Sequence, residues 1–164
     1  MFYLDLFAAL QKHKVRYVVV GGIAVVLHGY ARATADIDLV LALDRENLRD
    51  FLAVARELQL KPVLAVKIEV LCDAAQLDAW VREKHMLAFS LRHPAPTSPT
   101  IDVLVRPQVS FDRMHANRVD KVLGDVAVPL ASIDDLIALK TGTGRLRDEQ
   151  DIRILNQLKL PDRE

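Results

Sequence analysis

The sequence is poor in several features that would assign a protein class immediately. It contains a single cysteine, Cys72, so an intramolecular disulfide is excluded. Aromatic residues make up only 5% of the chain, so Leu, Val, Ile and Ala must fill most of any core. Lysine plus arginine and aspartate plus glutamate number 22 each, which argues against a protein that coats nucleic acid by bulk positive charge. A local basic site for one RNA end or one triphosphate is still compatible with this balance.

Long apolar runs are also missing. The longest run, residues 17–27, contains Gly21 and Gly22 and is far shorter than the roughly 20 residues of a membrane-spanning helix. Asp5 interrupts the first apolar stretch, which argues against an N-terminal signal segment. These two observations predict a cytoplasmic protein with no membrane partner. The length of 164 residues fits one domain over 1–164, and a hydrophobic content of 51% is enough to bury its core.

The hydrophobic periodicity predicts an alternation of helices and strands. Helices are expected around residues 4–10 and over 23–28, 44–58, 73–84, 132–140 and 145–158, the last ended by Pro161. Strands are expected over 15–20, 36–43, 86–91 and 100–105, with a hairpin formed by 119–123 and 126–129. Residues 61–72 fit a strand or a helix equally. This order predicts an α/β (α+β) domain with a mixed β-sheet and helices packed mainly on one face, and it leaves the oligomeric state open.

Two acidic residues stand at the start of the predicted strand 36–43. Residues two apart in a strand point to the same side, so Asp36 and Asp38 project together while Ile37 faces the opposite side. Two neighbouring carboxylates repel each other unless a counter-charge is present. A divalent cation supplies that charge, and an oxygen-rich site of this type suits Mg²⁺ or Mn²⁺.

A third carboxylate, Asp102, interrupts the otherwise apolar strand 100–105. A charge in such a strand is unfavourable unless something pairs with it. If this strand lies beside the strand that carries Asp36 and Asp38, the three carboxylates converge. That arrangement can hold two metal ions about 4 Å apart, as two-metal phosphoryl transfer requires.

A glycine pair lies between the apolar strand 15–20 and the helix 23–28. Gly21 and Gly22 allow the backbone to approach a ligand closely, and the free N–H groups at the start of the following helix favour phosphate. Arg32 lies between the glycines and the aspartates, near enough in sequence to bind a phosphate through two hydrogen bonds. The segment thus combines a candidate phosphate-binding turn with a candidate metal site.

The segment from Gly21 to Asp38 resembles the signature of the DNA polymerase β-like nucleotidyltransferase superfamily. Its form here is Gly-Gly-x-Ala-x-x-x-His-Gly-x-x-Arg-x-Thr-x-Asp-Ile-Asp, which is similar to the subgroup that includes the abortive-infection toxins of bacterial toxin–antitoxin systems. A later stretch, residues 135–140 with 145–148 and Asp151, resembles the C-terminal motif of that subgroup. The middle segment of the chain takes no part in the resemblance.

The resemblance implies an enzyme that transfers a nucleoside monophosphate from an NTP to a hydroxyl acceptor. It implies that Asp36 and Asp38 ligate Mg²⁺ or Mn²⁺. It further implies that Asp102 completes the metal site and acts as the base toward the acceptor hydroxyl. Pyrophosphate is the expected leaving group.

The resemblance also implies a set of nucleotide contacts. Gly21 and Gly22 would approach the triphosphate, and Lys140 would contact a phosphate from the following helix. The sequence departs from the superfamily pattern at Ile23, since many members carry a serine at or directly after the glycine pair. We therefore expect a somewhat weaker hold on the triphosphate.

Three residues near the glycine pair have a structural interpretation beside the functional one. Arg32 either binds phosphate or forms a salt bridge with one of the aspartates. Thr34 either binds phosphate or stabilises the loop that leads into the acidic strand. Tyr30 either stacks on a base or packs at the solvent edge.

The C-terminal motif is open to two interpretations as well. Lys140 either contacts phosphate or compensates the dipole at the end of its helix. Arg145, Asp148 and Asp151 have the spacing of an ion-pair row along one helix face, which could also lock Lys140 in place.

Three functions are compatible with these residues. The first is nucleotide transfer to tRNA or to a protein, with an antitoxin as a candidate partner, as the toxin-like resemblance implies. The second is modification of a small molecule such as an antibiotic hydroxyl, which the zero net charge favours. The third is a catalytically silent binding module, which Ile23 alone supports.

Overall fold

The computed structural model describes residues 1–160, and within this range the chain forms one mixed sheet of seven strands with seven α-helices. The helices are α1 (Phe2–Lys12), α2 (Gly21–Leu27), α3 (Arg45–Glu57), α4 (Ala74–Lys84), α5 (Phe111–Ala116), α6 (Ile133–Lys140) and α7 (Leu146–Leu158). The strands are β1 (Tyr17–Val20), β2 (Asp36–Leu41), β3 (Lys61–Pro62), β4 (Ala88–Arg92), β5 (Thr100–Leu104), β6 (Val119–Leu123) and β7 (Val126–Leu130). The predicted α/β class with a mixed sheet is confirmed.

The strand order is β3-β4-β5-β2-β1-β7-β6, so β2 lies at the centre of the sheet. β2 runs parallel to β5 and antiparallel to β1, and β1 runs parallel to β7. The predicted hairpin is confirmed as the antiparallel pair β6–β7. The central position of β2 gives its side chains a rigid base, because strands are bonded to it on both sides.

The core is aliphatic, with three phenylalanines among its largest buried side chains. Phe7 on α1, Phe51 on α3 and Phe89 on β4 are each at most 1% exposed. Ile37 and Leu39 of β2 are fully buried and alternate with the two aspartates of that strand. Since alternate residues of a strand face opposite sides, burial of the apolar pair turns the carboxylates away from these core side chains.

Side-chain caps fix the beginnings of several helices. The Asp44 side chain accepts a hydrogen bond from the Asn47 N–H, and Ser132 does the same for the Asp135 N–H, as their positions in the sequence predict. The capped helix α5 was not predicted. It is short, and its cap, Ser110 accepting from the Arg113 N–H, is the signal that could have identified it.

Two other predictions are refined by the structure. α2 begins at Gly21 and not at residue 23, although the φ of +65° at Gly21 lies outside the right-handed helical region. The ambiguous stretch 61–72 divides into the short strand β3 and a 3₁₀ turn, Ile68–Cys72. Pro161, the predicted stop of the last helix, lies outside the described residues. No helix within residues 1–160 combines the length and apolarity needed to cross a bilayer.

Candidate active site

The structure brings the three predicted acidic residues to one end of β2 and β5. Asp38 and Asp102 are direct register partners in this parallel pair, so their backbones are about 4.8 Å apart. Asp36 lies two residues before Asp38 and therefore shares its face of the sheet. The three carboxylates converge because β5 pairs with β2 in this register. The sequence alone did not show that these two strands are neighbours.

The negative charge of these carboxylates is only partly compensated. Burial, followed by the negative charges of Asp102 and Asp36, raises the pKa of Asp38 to about 6, although Lys140 and Arg145 oppose the shift. Burial and the charge of Asp102 also raise the pKa of Asp36. Oδ1 of Asp102 is buried and has no hydrogen-bond partner among residues 1–160. An orphaned buried carboxylate oxygen and two raised pKa values mark a place that lacks a positive charge.

The donor set suits a hard divalent cation. All three side chains offer carboxylate oxygens, which Mg²⁺ and Mn²⁺ prefer. Within the described part of the chain, no three acidic, histidine or cysteine side chains are already gathered tightly enough to enclose an ion. Because the three carboxylates repel one another, we expect them to lie apart when no cation is bound.

The glycine pair is required by close packing against the acidic strand. Gly21 has a φ of +65°, and a Cβ placed on it would overlap the Asp38 carboxylate and lie 2.6 Å from its Cγ. A Cβ on Gly22 would lie 2.5 Å from Oγ1 of Thr34 and 2.8 Å from Nη2 of Arg32. The two glycines therefore bring the start of α2 against Asp38 and against the loop before β2.

Arg32 forms a salt bridge, although not with the aspartates beside it in sequence. Its Nη2 lies 3.0 Å from Oδ2 of Asp151 on α7. Thr34 contributes to the packing of this loop through its contact with Gly22. The pairing of Arg32 with Asp151 connects the loop after α2 to the last helix.

Lys140 lies in a buried network and not at a free helix end. Its Nζ is 2.9 Å from Oδ2 of Asp151 and 3.2 Å from Oδ1 of Asp148. Asp148 also accepts hydrogen bonds from Thr143 at 2.6 Å and from Arg145 at 2.8 Å. The predicted i,i+3 pair of Arg145 with Asp148 is confirmed, and the acids of α7 hold Lys140 in place.

All eight predicted site residues line one cavity of about 500 Å³. They are Gly21, Gly22, Arg32, Thr34, Asp36, Asp38, Asp102 and Lys140. The cavity is also lined by Leu87 just before β4, Leu104 at the end of β5 and Arg106 just after β5. Sequence reasoning missed Arg106, whose Nε is held 2.7 Å from Asp78. Its position four residues after Asp102, directly beyond β5, is the signal that could have identified it.

A family model described as "Nucleotidyltransferase of unknown function (DUF6036)" matches residues 2–161. The chain belongs to this nucleotidyltransferase family. No significant sequence match to a curated protein was found.

Solved structures share the nucleotidyltransferase fold at low sequence identity. The lincosamide antibiotic adenylyltransferase LnuA with bound lincomycin has a TM-score of 0.60 at 17% identity, over 96% of this chain and 94% of that one. ANT(2")-Ia in complex with adenylyl-2"-tobramycin has a TM-score of 0.58 at 12% identity, over 95% and 86%. An antigenic nucleotidyltransferase-like protein from Paracoccidioides brasiliensis has a TM-score of 0.58 at 18% identity, over 96% and 73%. These similarities show that this chain has the nucleotidyltransferase fold.

Proposed function

We propose that this nucleotidyltransferase transfers a nucleoside monophosphate from an NTP to a hydroxyl acceptor in a reaction that depends on Mg²⁺ or Mn²⁺. The observation that carries the proposal is the in-register pairing of Asp38 with Asp102, with Asp36 on the same face. These carboxylates would hold the cations. When bound, divalent cations neutralise charge on the transferring and leaving oxygens.

Two basic residues that line the cavity, Lys140 and Arg32, support the binding of a triphosphate. Lys140 is fixed by Asp148 and Asp151, so its charge is presented without loss of side-chain freedom on binding. Arg32 is fixed by the same Asp151 and lines the cavity. We propose that the side chains of Lys140 and Arg32 contact phosphate oxygens. Gly21 and Gly22 would allow the start of α2 to approach the same phosphates.

The chemical step is an in-line displacement at the α-phosphorus. The acceptor oxygen forms a bond to that phosphorus, the bond between the α-phosphorus and the bridging oxygen breaks, and pyrophosphate leaves. We propose that Asp102 accepts the proton of the attacking hydroxyl. Its buried Oδ1 has no partner within residues 1–160, so this oxygen is available to a ligand or a proton.

Two classes of acceptor are supported by different observations. The toxin-like motif supports tRNA or a protein, and with it an antitoxin partner and a cytoplasmic location. The names of two structural neighbours, LnuA and ANT(2")-Ia, support a small-molecule hydroxyl. Binding that weakens steeply with added salt would favour RNA over an uncharged small molecule.

A silent binding module is the remaining alternative. Ile23, which replaces the superfamily serine, packs against the hydrophobic core from α2 and offers no hydroxyl to phosphate. Isothermal titration with Mg²⁺ and each NTP distinguishes the alternatives, because a silent module would give no binding heat. Saturable binding of one NTP supports the enzyme.

The decisive experiment asks which molecule receives the labelled nucleotide. The protein is incubated with Mg²⁺, total RNA, cell extract and each of four α-labelled NTPs, and labelled RNA, protein and small molecules are separated. We expect Asp38→Asn to abolish labelling. Asp125→Asn is the matched control, since Asp125 lies in the exposed turn between β6 and β7, where asparagine is equally suited. Labelling that persists in Asp38→Asn would contradict the proposed mechanism.

A further inference from the structure

A second cavity adjoins the candidate active site. It measures about 460 Å³ and lies between the loop after α2 and one face of α7. Arg32 and Arg147 line both cavities, so the two spaces share a wall. Residues 147, 150, 151 and 154 of α7 follow i, i+3, i+4, i+7 spacing, which places them on a single helix face.

The free charge of this second cavity is positive. Its one carboxylate, Asp151, is 1% exposed and is already bound to Arg32 and Lys140. Arg147 and Arg153 form no ion pair within residues 1–160. In a chain of zero net charge, two arginines that have no ion-pair partner among residues 1–160 concentrate positive potential on one wall.

An aromatic side chain stands beside these arginines. Tyr30 lines the cavity from the loop and is 37% exposed, although aromatic residues are scarce in this chain. An exposed aromatic ring next to arginines is the arrangement with which proteins bind single-stranded nucleic acid, since bases stack on the ring and phosphates contact the cations.

The first cavity can hold the NTP by itself. It has the volume of a site that encloses a whole small ligand, and it presents the three carboxylates, the glycine pair and Lys140. Leu87 and Leu104 add apolar surface that a base can contact.

Another cavity of about 500 Å³ shares Leu104, Arg106 and Pro107 with the first one. Its two arginines, Arg16 and Arg106, are already paired with Asp44 and Asp78. The second cavity therefore offers the other reactant the free positive charge.

We infer that the Tyr30–Arg147–Arg153 cavity binds the acceptor, and that the acceptor is a single-stranded RNA end. This inference rests on the proposed function, since it identifies the molecule that supplies the hydroxyl. Tyr30 stacks on a base of the RNA, and Arg153 and Arg147 contact its phosphates. The shared wall directs the terminal hydroxyl toward Asp36, Asp38 and Asp102.

The test is a binding measurement without catalysis. A fluorescent single-stranded RNA of about 12 nucleotides, within known site sizes, is titrated with the full chain in EDTA without NTP over a series of KCl concentrations. We expect Tyr30→Ala to weaken RNA affinity by about 10-fold. We expect Arg153→Gln to reduce the slope of log affinity against log salt by about 0.7, the value for one lost phosphate contact.

Matched controls separate the cavity from the general charge of the surface. Arg49→Gln on α3 and Arg82→Gln on α4 make the same change in charge at exposed residues that line neither cavity, and RNA affinity should stay at the wild-type value. Thermal melting of each variant checks the fold. Titration with NTP and Mg²⁺ should reveal a smaller loss than RNA titration for both cavity variants.

Three results would overturn the inference. They are a wild-type protein that does not bind the RNA at low salt, cavity variants that bind it as tightly as the wild type, and variants that lose NTP affinity while keeping RNA affinity. Because the assay contains neither NTP nor metal, it is independent of the proposed chemistry. RNA binding without any labelling activity would contradict the proposed function alone, and labelling of another acceptor without RNA binding would contradict this inference alone.

Discussion

The acidic residues of β2 and β5 and those of α7 are identical side chains in opposite electrostatic settings. Burial and neighbouring carboxylates raise the pKa of Asp38, and no basic side chain forms a salt bridge with it within residues 1–160. Burial would also raise the pKa of Asp148, yet hydrogen bonds from Thr143 and Lys140 and the charge of Arg145 hold it below its usual value. The first group lacks a positive partner and the second already has several. The difference separates a site that awaits a ligand from a network that positions one.

The largest effect should come from removing an unpaired acid. Asp102→Asn should lower nucleotide transfer by at least about 10³-fold, because a divalent cation contributes several kcal/mol of charge stabilisation in such reactions. Without cation, the same change should raise the free energy of unfolding by about 1 kcal/mol, since it removes one of three mutually repelling charges. Urea unfolding in EDTA measures the second effect. A loss of stability in EDTA would show that Asp102 is already compensated in the metal-free protein.

Added Mg²⁺ sharpens the same comparison. A cation that binds only the folded state raises stability by RT ln(1 + [L]/Kd), about 1.4 kcal/mol at ten times the Kd. We expect this gain in urea unfolding of the wild type and its absence in Asp38→Asn. Asp125→Asn, in the exposed hairpin turn, should respond as the wild type does. Equal responses in all three proteins would mean that the ion binds elsewhere.

Removing a paired acid should act on stability first. Asp151→Asn takes one carboxylate away from both Arg32 and Lys140, and breaking a buried ion pair costs about 3–5 kcal/mol. Urea unfolding measures this loss. The matched control is Asp134→Asn, which removes the partner of Lys159 from an exposed pair and should cost less than about 1 kcal/mol. If the two variants lose equal stability, the network around Lys140 is no stronger than a surface ion pair.

Comparing alanine substitutions at two glycines with almost the same φ measures the destabilisation caused when a Cβ meets Asp38. Gly21 and Gly124 have φ values of +65° and +61°, but only Gly21 has atoms within 4 Å of the missing Cβ. Gly124→Ala should cost about 1 kcal/mol from backbone strain alone and leave transfer unchanged. Gly21→Ala should cost more and should lower transfer by about 100-fold, since displacing reacting groups by about 1 Å has that effect. Unfolding and labelling assays on the pair measure the difference.

Much of this site was predictable because its determinants are local in sequence. Gly21, Gly22 and the aspartates 36 and 38 lie within one short segment, and strand periodicity alone orients the two carboxylates. Asp102 required knowledge of which strands are neighbours, and that is set by packing of the whole sheet. The partner of Arg32 was not predictable, because Asp151 lies 119 residues away and meets it only when α7 docks. The second cavity depends in the same way on segments that are distant in sequence.

The smallest expected effect tests whether a buried polar atom without a hydrogen-bond partner is truly unsatisfied, as we infer for Oδ1 of Asp102. The Tyr17 hydroxyl is buried, lies outside the site, and has no hydrogen-bond partner within the described 160 residues. Tyr17→Phe removes this oxygen and keeps the ring that stacks on Phe7, so the free energy of unfolding should rise by about 0.5–1 kcal/mol with transfer unchanged. Urea unfolding measures it, with exposed Tyr30→Phe as the control. A loss of more than about 1 kcal/mol in Tyr17→Phe would mean that an internal water satisfies the hydroxyl. The orphaned oxygen of Asp102 could then be satisfied by water too, and it would no longer distinguish the acids of β2 and β5 from those of α7.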